Sequence, residues 1–297
     1  MTRVVAIVGA GRVGRALGKR LRELGWRVGP VITQSDATAR AAVRAIRGGQ
    51  PHAQLTRQVL AADLVLLTTP DRALGEVAKA LARIGGEEWR RKIVLHTSGA
   101  LGSSALSPLG KLGAATGSLH PLQTFSGRRA PALDGVVFAV EGSPPALRLA
   151  RQIVRALGGV PLQVQGRRKP AYHVAAAFAA GHALAVIEAG TRMLVSLGFT
   201  RRQAVRALLP LVRQMLQNFE LLGSRAAWTG PLQRGDYQTV ALHAEALKRF
   251  PAEYRKAYEA LSRLSVRMLA QKPGRVLREL EAVFAKARIA PAGGEKH

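Results

Sequence analysis

The chain contains no cysteine, which excludes a disulfide framework, a thiolate nucleophile and a cysteine zinc site, and agrees with a cytoplasmic setting. Aromatic residues amount to 5%, and acids are scarce, 18 against 45 lysines and arginines. With so few carboxylates near its seven histidines, and no H-E-x-x-H or comparable ligand spacing, no metal site is expected. A G-x-S-x-G nucleophile elbow is also missing, which removes the hydrolase reading. No hydrophobic run is long enough to span a membrane. The weakly polar stretch 174–187 carries Gly181 and His182, falls short of the roughly 20 residues a span needs, and reads as a buried helix. The opening Met1-Thr2-Arg3, followed at once by an apolar run, has the flanks of a strand rather than of an export signal.

What is present points to a globular protein of two parts. At 297 residues and 47% apolar composition, the chain can bury one large core or two moderate ones. Its formal charge of +27 would attract polyanions. The cations are dispersed, however, with Arg15, Arg20, Arg40, Arg83, Arg151 and Arg206 spread over separate helical stretches. A general preference for Arg and Ala accounts for this pattern, so neither nucleic acid nor a membrane is expected as a partner.

Short β-branched runs alternate with helical stretches in the first half, the signature of βαβ units and a parallel sheet. Strands are expected over 4–8, 28–33, 64–68, 93–96, 115–119, 136–140 and 161–164, with helices over 13–24, 37–46, 73–84 and 145–157. From Lys169 onward the apolar period is helical throughout, over 172–197, 201–222, 239–249, 252–270 and 274–287. The expected fold is α/β: an N-terminal Rossmann domain over 1–166, an all-helical domain over 167–288 for substrate and dimerisation, and a disordered tail over 289–297.

Gly9-Ala10-Gly11-Arg12-Val13-Gly14 matches G-x-G-x-x-G between an apolar strand and an amphipathic helix. That context aims free backbone N–H groups and the positive helix end at a pyrophosphate. The end of the second strand, where an acid would grip a ribose 2′-hydroxyl, reads Thr33-Gln34-Ser35 and carries none. Hydroxyls there, with Arg40 one turn on, suit a 2′-phosphate, so the expected cofactor is NADP, with NAD possible through Asp36. Asp36 otherwise serves as the cap of the next helix. Thr69 and Pro70, after a further strand, lie at the carboxyl edge of the sheet where ligands sit in such folds, and Ser98 is placed in the nicotinamide pocket.

Further motifs follow in order: Leu95-His96-Thr97-Ser98-Gly99-Ala100-Leu101, Ser118-Leu119-His120-Pro121-Leu122-Gln123-Thr124-Phe125, Tyr172-His173-Val174-Ala175-Ala176, and Thr229-Gly230-Pro231-Leu232-Gln233-Arg234-Gly235-Asp236. Together they resemble a Rossmann-like family whose C-terminal helical half is a domain of unknown function. The resemblance implies a fold shared with pyrroline-5-carboxylate reductase, prephenate dehydrogenase, ketopantoate reductase and the 6-phosphogluconate and β-hydroxyacid dehydrogenases. A 6-phosphogluconate-dehydrogenase-like helical domain and a homodimer are expected with it. Where the resemblance implies a polar Ser-Asn pair, this chain has Ala180-Gly181, followed by His182.

A reductase of this build needs a proton donor near the nicotinamide with a pKa near neutrality, and His120 is the first candidate, or else a structural histidine bonding a loop carbonyl. The His120-Pro121 step is similar to one that carries a catalytic histidine in prephenate dehydrogenase-like relatives. Lys169 and His173, four residues apart, share a helix face if the helix already includes Lys169. Lys169 is a substrate ligand or proton donor, or else a solvated lysine at a helix start. The function expected is an NADP(H)-dependent oxidoreductase acting on a small, anionic oxo acid or an imine in an interdomain cleft. The alternative is a catalytically silent dinucleotide sensor or scaffold.

Overall fold

The structure is a computed structural model that describes residues 2–126 and 130–289, with side chains through Ala287. It divides into two compact units, one ending at His182 and the other beginning at Ala183.

The first unit holds an eight-stranded sheet in the order β3-β2-β1-β4-β5-β6-β7-β8. Its strands are β1 (Val4–Val8), β2 (Arg27–Ile32), β3 (Gln50–His52), β4 (Leu64–Leu67), β5 (Ile93–His96), β6 (Ala115–Pro121), β7 (Val137–Gly142) and β8 (Val160–Gln163). All pairings are parallel except β6 with β7. The first six strands therefore have the doubly wound order of a dinucleotide fold, with the reversal of strand order between β1 and β4. Both sheet faces are buried, which explains the unbroken apolar run of β1. Val5 and Ile7 enter one core beneath α1 (Arg12–Glu23), α2 (Asp36–Ile46) and α5 (Pro144–Ala156). Val4, Ala6 and Val8 enter the other, beneath α3 (Asp71–Gly85) and the one-turn α4 (Ser107–Gly110). The strands and helices expected in this half are all present, while β3 was not anticipated. Its sequence Gln-Pro-His has no apolar alternation, and it exists because Pro30, Val31 and Ile32 offer it an edge to pair with.

Helix α6 (Lys169–Ala177) closes the first unit, followed by a π-turn over Phe178–His182. Although the sequence puts a boundary at Gly166-Arg167-Arg168, α6 groups with the sheet. The reason is Lys169, whose ammonium is fully buried against the turn that follows β5 and against strand β6.

The second unit is helical: α7 (Ala183–Ser196), α8 (Arg201–Ala227), α9 (Pro231–Arg234), α10 (Tyr237–Ala246), α11 (Ala252–Leu269) and α12 (Pro273–Ile289). Thr200 and Gln203 form a reciprocal capping box at the start of α8, and Asp236 caps α10 through the Thr239 N–H. At Gly223 the backbone leaves the helical region (φ 78°, ψ 170°), so α8 is two helices joined at a kink there. Val240, Ala244, Val266, Leu280 and Phe284 form the core of α10 to α12. Because α12 continues to Ile289, that residue is helical and not part of a tail, while residues 290–297 lie outside the described residues.

The apolar stretch around 174–187 is not the buried helix its sequence suggests. It belongs to a run over Gly166–Ser196 that is, by length and composition, apolar enough to cross a membrane, and only 6% of its 18-residue apolar window is buried. Val174, Phe178, Leu184 and Val186 all face outward.

Candidate functional site

Gly9 follows β1 with φ 87°, and a side chain there would lie 2.6 Å from Thr69 Cγ2 and 2.7 Å from the Thr69 amide. This close approach joins the ends of β1 and β4 at the point where strand order reverses. Thr68 secures it by donating from Oγ1 to the Gly9 carbonyl (2.6 Å), and the Gly9 N–H donates to Ile32 (2.8 Å). Gly14 packs on the same Thr68 hydroxyl, while Gly18 gives α1 its clearance over Ile7. Gly11 differs. A Cβ there meets only the Gly9 carbonyl oxygen, at 4.0 Å, so the space is open. Gly11 begins α1 with no side-chain cap and no acid in the first turn, which leaves helix N–H groups and positive helix potential directed outward. Arg12 at the first helical position is exposed, and Arg15 donates from Nε to the Ala10 carbonyl (3.0 Å), bracing the loop. Ala10 and Val13 contribute apolar contacts beneath it. An open glycine at an uncapped helix start fits a pyrophosphate.

At the end of β2, Thr33, Ser35 and Thr38 form one hydroxyl cluster, with Thr33 Oγ1 2.6 Å from Thr38 Oγ1 and Ser35 Oγ 3.0 Å from it. Ser35, not Asp36, caps α2, accepting from the Thr38 N–H (3.3 Å). Asp36 is the first residue inside the helix and points to solvent, as do Gln34 and Arg40. A capping residue needs an extended backbone, which Ser35 has (φ −153°, ψ 154°). Thr38 belongs to this cluster and was not foreseen, since it lies one helical turn beyond the strand end.

A second constellation forms where α6 crosses the carboxyl ends of β5 and β6. Lys169, 0% exposed, donates to the Ser98 carbonyl (2.7 Å) and to Ser118 Oγ (2.8 Å). The solvated reading of Lys169 is therefore wrong. Burial pulls its ammonium down to about 8, against the opposing pull of Glu141 and Asp71. Ser98 Oγ donates to Asp71 (2.8 Å) and accepts from the amides of Ala100 (3.2 Å) and Leu101 (2.9 Å), so its hydroxyl is committed to shaping the turn. Glu141 accepts from Ser118 (3.3 Å) and Ser103 (3.0 Å), extending the polar network under α6. Thr69 and Pro70 precede α3, with Pro70 in its cap position.

His96 is fully buried and accepts at Nδ1 from the Ser98 amide (3.2 Å), so its Nε2 donates to the Gly102 carbonyl (3.1 Å). It braces the turn. His120, two residues after Ser118 and on the same strand face, has Nδ1 3.0 Å from the Tyr172 hydroxyl. His173 approaches His120 edge-on, with centroids 5.7 Å apart. Gly99 makes room for both: a Cβ there would lie 2.7 Å from His120 Nε2 and would collide with His173 Nδ1. Thus α6 presents Lys169, Tyr172 and His173 on one face, at the i, i+3 and i+4 positions. Tyr172, Ser118, Glu141, Asp71 and Gly99 escaped the sequence reading as site residues, although Tyr172, Ser118 and Gly99 stood inside the motifs given above.

The electrostatics correct one expectation. His120 does not titrate near neutrality: burial first, then the charges of Lys169 and His173, lower it to about 4. Burial, Lys169 and His120 lower His96 to about 3. Both imidazoles are neutral at pH 7. Unfolded histidines titrate near 6.5, so between pH 6.5 and 4 the unfolded chain binds protons that the folded chain refuses. Stability should therefore fall as the pH drops through this window, by about 1.4 kcal/mol per pH unit for each histidine. Urea unfolding at pH 6.5, 5.5 and 4.5 measures this, and a flat profile would contradict the burial argument.

Comparisons with known proteins agree with this architecture. Residues 2–121 match the Rossmann-like domain, and residues 136–265 match the domain of unknown function DUF2520, whose extent begins at β7 and so includes the last strands of the sheet. A Bacteroides fragilis protein described as an NADP oxidoreductase is similar in structure, with 22% identity, a TM-score of 0.73 and coverage of 88% of this chain and 97% of that one. A reductive aminase from Aspergillus terreus, in complex with NADPH and ethyl levulinate, gives 18% identity, a TM-score of 0.66 and 90% and 94% coverage. Pyrroline-5-carboxylate reductase from Coxiella burnetii gives 16%, 0.58 and 97% and 98%. At such identities the likeness establishes the fold. No curated protein matches the chain in sequence. The chain thus carries a segment similar to the Rossmann-like domain followed by one similar to DUF2520.

Proposed function

We propose that this protein is an NADP(H)-dependent oxidoreductase that reduces a small oxo acid or imine. The observation that carries the reading is the open Gly11 at the uncapped start of α1, clamped beneath by Gly9 against Thr69. The Thr33, Ser35 and Thr38 hydroxyls with exposed Arg40 are suited to a 2′-phosphate, and structural neighbours described with NADP or NADPH support that choice. The dinucleotide would supply hydride. The chain's own part is to hold the substrate against His120 and His173, exclude water with α6, and keep the His120 ring neutral and oriented through Tyr172. In this role His120 donates a hydrogen bond to the reacting atom as an uncharged imidazole, and the proton that completes the reduced product is drawn from solvent. Lys169 fixes α6 on the sheet and keeps positive potential beneath the site.

Fluorescence titration with NADPH and NADH, followed by a panel of oxo acids and cyclic imines, tests the proposal. NADPH should bind more tightly than NADH, and His120→Ala should lower kcat by about 100-fold with cofactor affinity unchanged. Cofactor binding without turnover on any substrate would favour the silent sensor, and absence of binding would end both readings.

The proposal includes a homodimer. Leu184 and Leu197 around α7, with Leu211, Leu216 and Phe219 on α8, are exposed large apolar residues, and a second copy would cover them. Sedimentation velocity at micromolar concentration should give twice the 31.7 kDa chain mass, and a monomer would refute this part.

A further inference from the structure

We infer that His120 Nε2 and His173 Nδ1 form a two-donor cradle for a single oxygen atom, which selects a carbonyl over an imine as the reacting group; this rests on the reductase reading above. Both ring nitrogens abut the position that a Cβ of Gly99 would take, which puts them beside one another; that position is one bond from the Gly99 Cα, so a shared oxygen would sit just in front of it. They are close enough for one oxygen to accept from both. Neither nitrogen has a hydrogen-bond partner among the described residues, whereas His96 uses both its nitrogens. His120 uses Nδ1 on Tyr172. Burial pushes the Tyr172 hydroxyl up to about 12, so it stays protonated and can donate to Nδ1, which leaves the proton of neutral His120 on Nε2. The His173 ring stands nearly perpendicular to that of His120, at 84°, and its Nδ1 serves as the second donor in the tautomer that carries the proton there.

The count of lone pairs then discriminates between substrates. A carbonyl oxygen has two lone pairs and accepts two N–H donors at once, whereas an imine nitrogen has one and an iminium none. Donors fixed in advance on an atom that gains negative charge stabilise that charge without reorganisation. Gly99 is the enabling residue, since a larger side chain would occupy the approach to both nitrogens and force the rings apart.

Formate, a small oxyanion that imitates the charged oxygen, is the probe, and ring 15N signals of histidine-labelled protein are the readout. His120 Nε2 and His173 Nδ1 should shift together with one dissociation constant. Gly99→Ala and His173→Phe should each weaken formate about tenfold or more, with the circular dichroism spectrum unchanged. His173 is exposed, so its variant preserves the fold should Gly99→Ala disturb it. A shift at only one ring, at neither, or unaltered formate affinity in His173→Phe overturns the cradle. In the substrate panel, equal or faster turnover of imines than of carbonyls of the same size does so as well. NADPH affinity measured on the same sample reports separately on the reductase reading, because formate binding needs no cofactor.

Discussion

Gly11→Val should abolish NADPH binding while leaving the fold intact. The Gly11 backbone lies at φ −71°, a value that valine adopts readily, and a Cβ there contacts nothing closer than 4.0 Å. The added methyls instead project over the first turn of α1, into the space a pyrophosphate would need to reach the helix N–H groups. A loss of at least about 100-fold in affinity is expected, roughly 2.7 kcal/mol. The unfolding midpoint should hardly change. Gly9→Ala should behave in the opposite way. It requires φ 87° and a contact of 2.6 Å with Thr69, so it should destabilise the protein by about 1–3 kcal/mol before any ligand is added. Isothermal titration and urea unfolding on both variants separate the two effects. If Gly11→Val binds NADPH as the wild type does, the glycine loop is not the cofactor cradle.

Lys169→Ala should be the most damaging single substitution in the first unit. It removes the donor held by the Ser98 carbonyl and Ser118 hydroxyl, opens a void, and leaves buried acceptors unpaired beside Glu141 and Asp71. Breaking such a network costs about 3–5 kcal/mol. Lys169→Met fills most of the void and should lose less. Both should depress turnover, because α6 carries Tyr172 and His173 into place. The pH dependence has a definite sign. The folded ammonium titrates at about 8, below the ordinary lysine value of about 10.4. Below pH 8 the lysine is charged in both states and the desolvation penalty is complete. Between 8 and about 10 the folded chain sheds a proton that the unfolded chain retains, so wild type gains about 1.4 kcal/mol per unit. Lys169→Met should lack this rise. Denaturant melts of the two proteins at pH 7, 8.5 and 9.5 check it, and parallel profiles would mean the ammonium is not desolvated.

The two kinds of residue in the site differ in how far their roles could be read from the chain. Gly9, Gly11 and Gly14 act within a single strand-turn-helix, where neighbours in sequence are neighbours in space, so spacing alone conveys their roles. Successive residues of β1 likewise point to opposite faces, and an unbroken apolar run already implies a sheet covered on both sides. Helix caps at Thr200 and Asp236 are equally local. Ser35 shows where local signals become ambiguous. Two adjacent residues could each cap α2, and only the backbone conformation decides for the serine.

What the tertiary structure decided is everything that depends on contact between distant segments. Lys169 is an exposed-looking cation after two arginines in sequence, yet it is buried because Ser98 and Ser118, 71 and 51 residues away, supply its acceptors. His120 has the same side chain in the sequence as in the fold. Its drop to about 4 comes from burial and from the charges of Lys169 and His173, which the crossing of α6 over β5 and β6 delivers. Gly99 reads as part of a polar turn until two imidazoles, 21 and 74 residues further along, close on its missing side chain. Local propensity travels along the chain, but desolvation and Coulomb interactions act through space, so charge state and site geometry existed only once the sheet and α6 had come together.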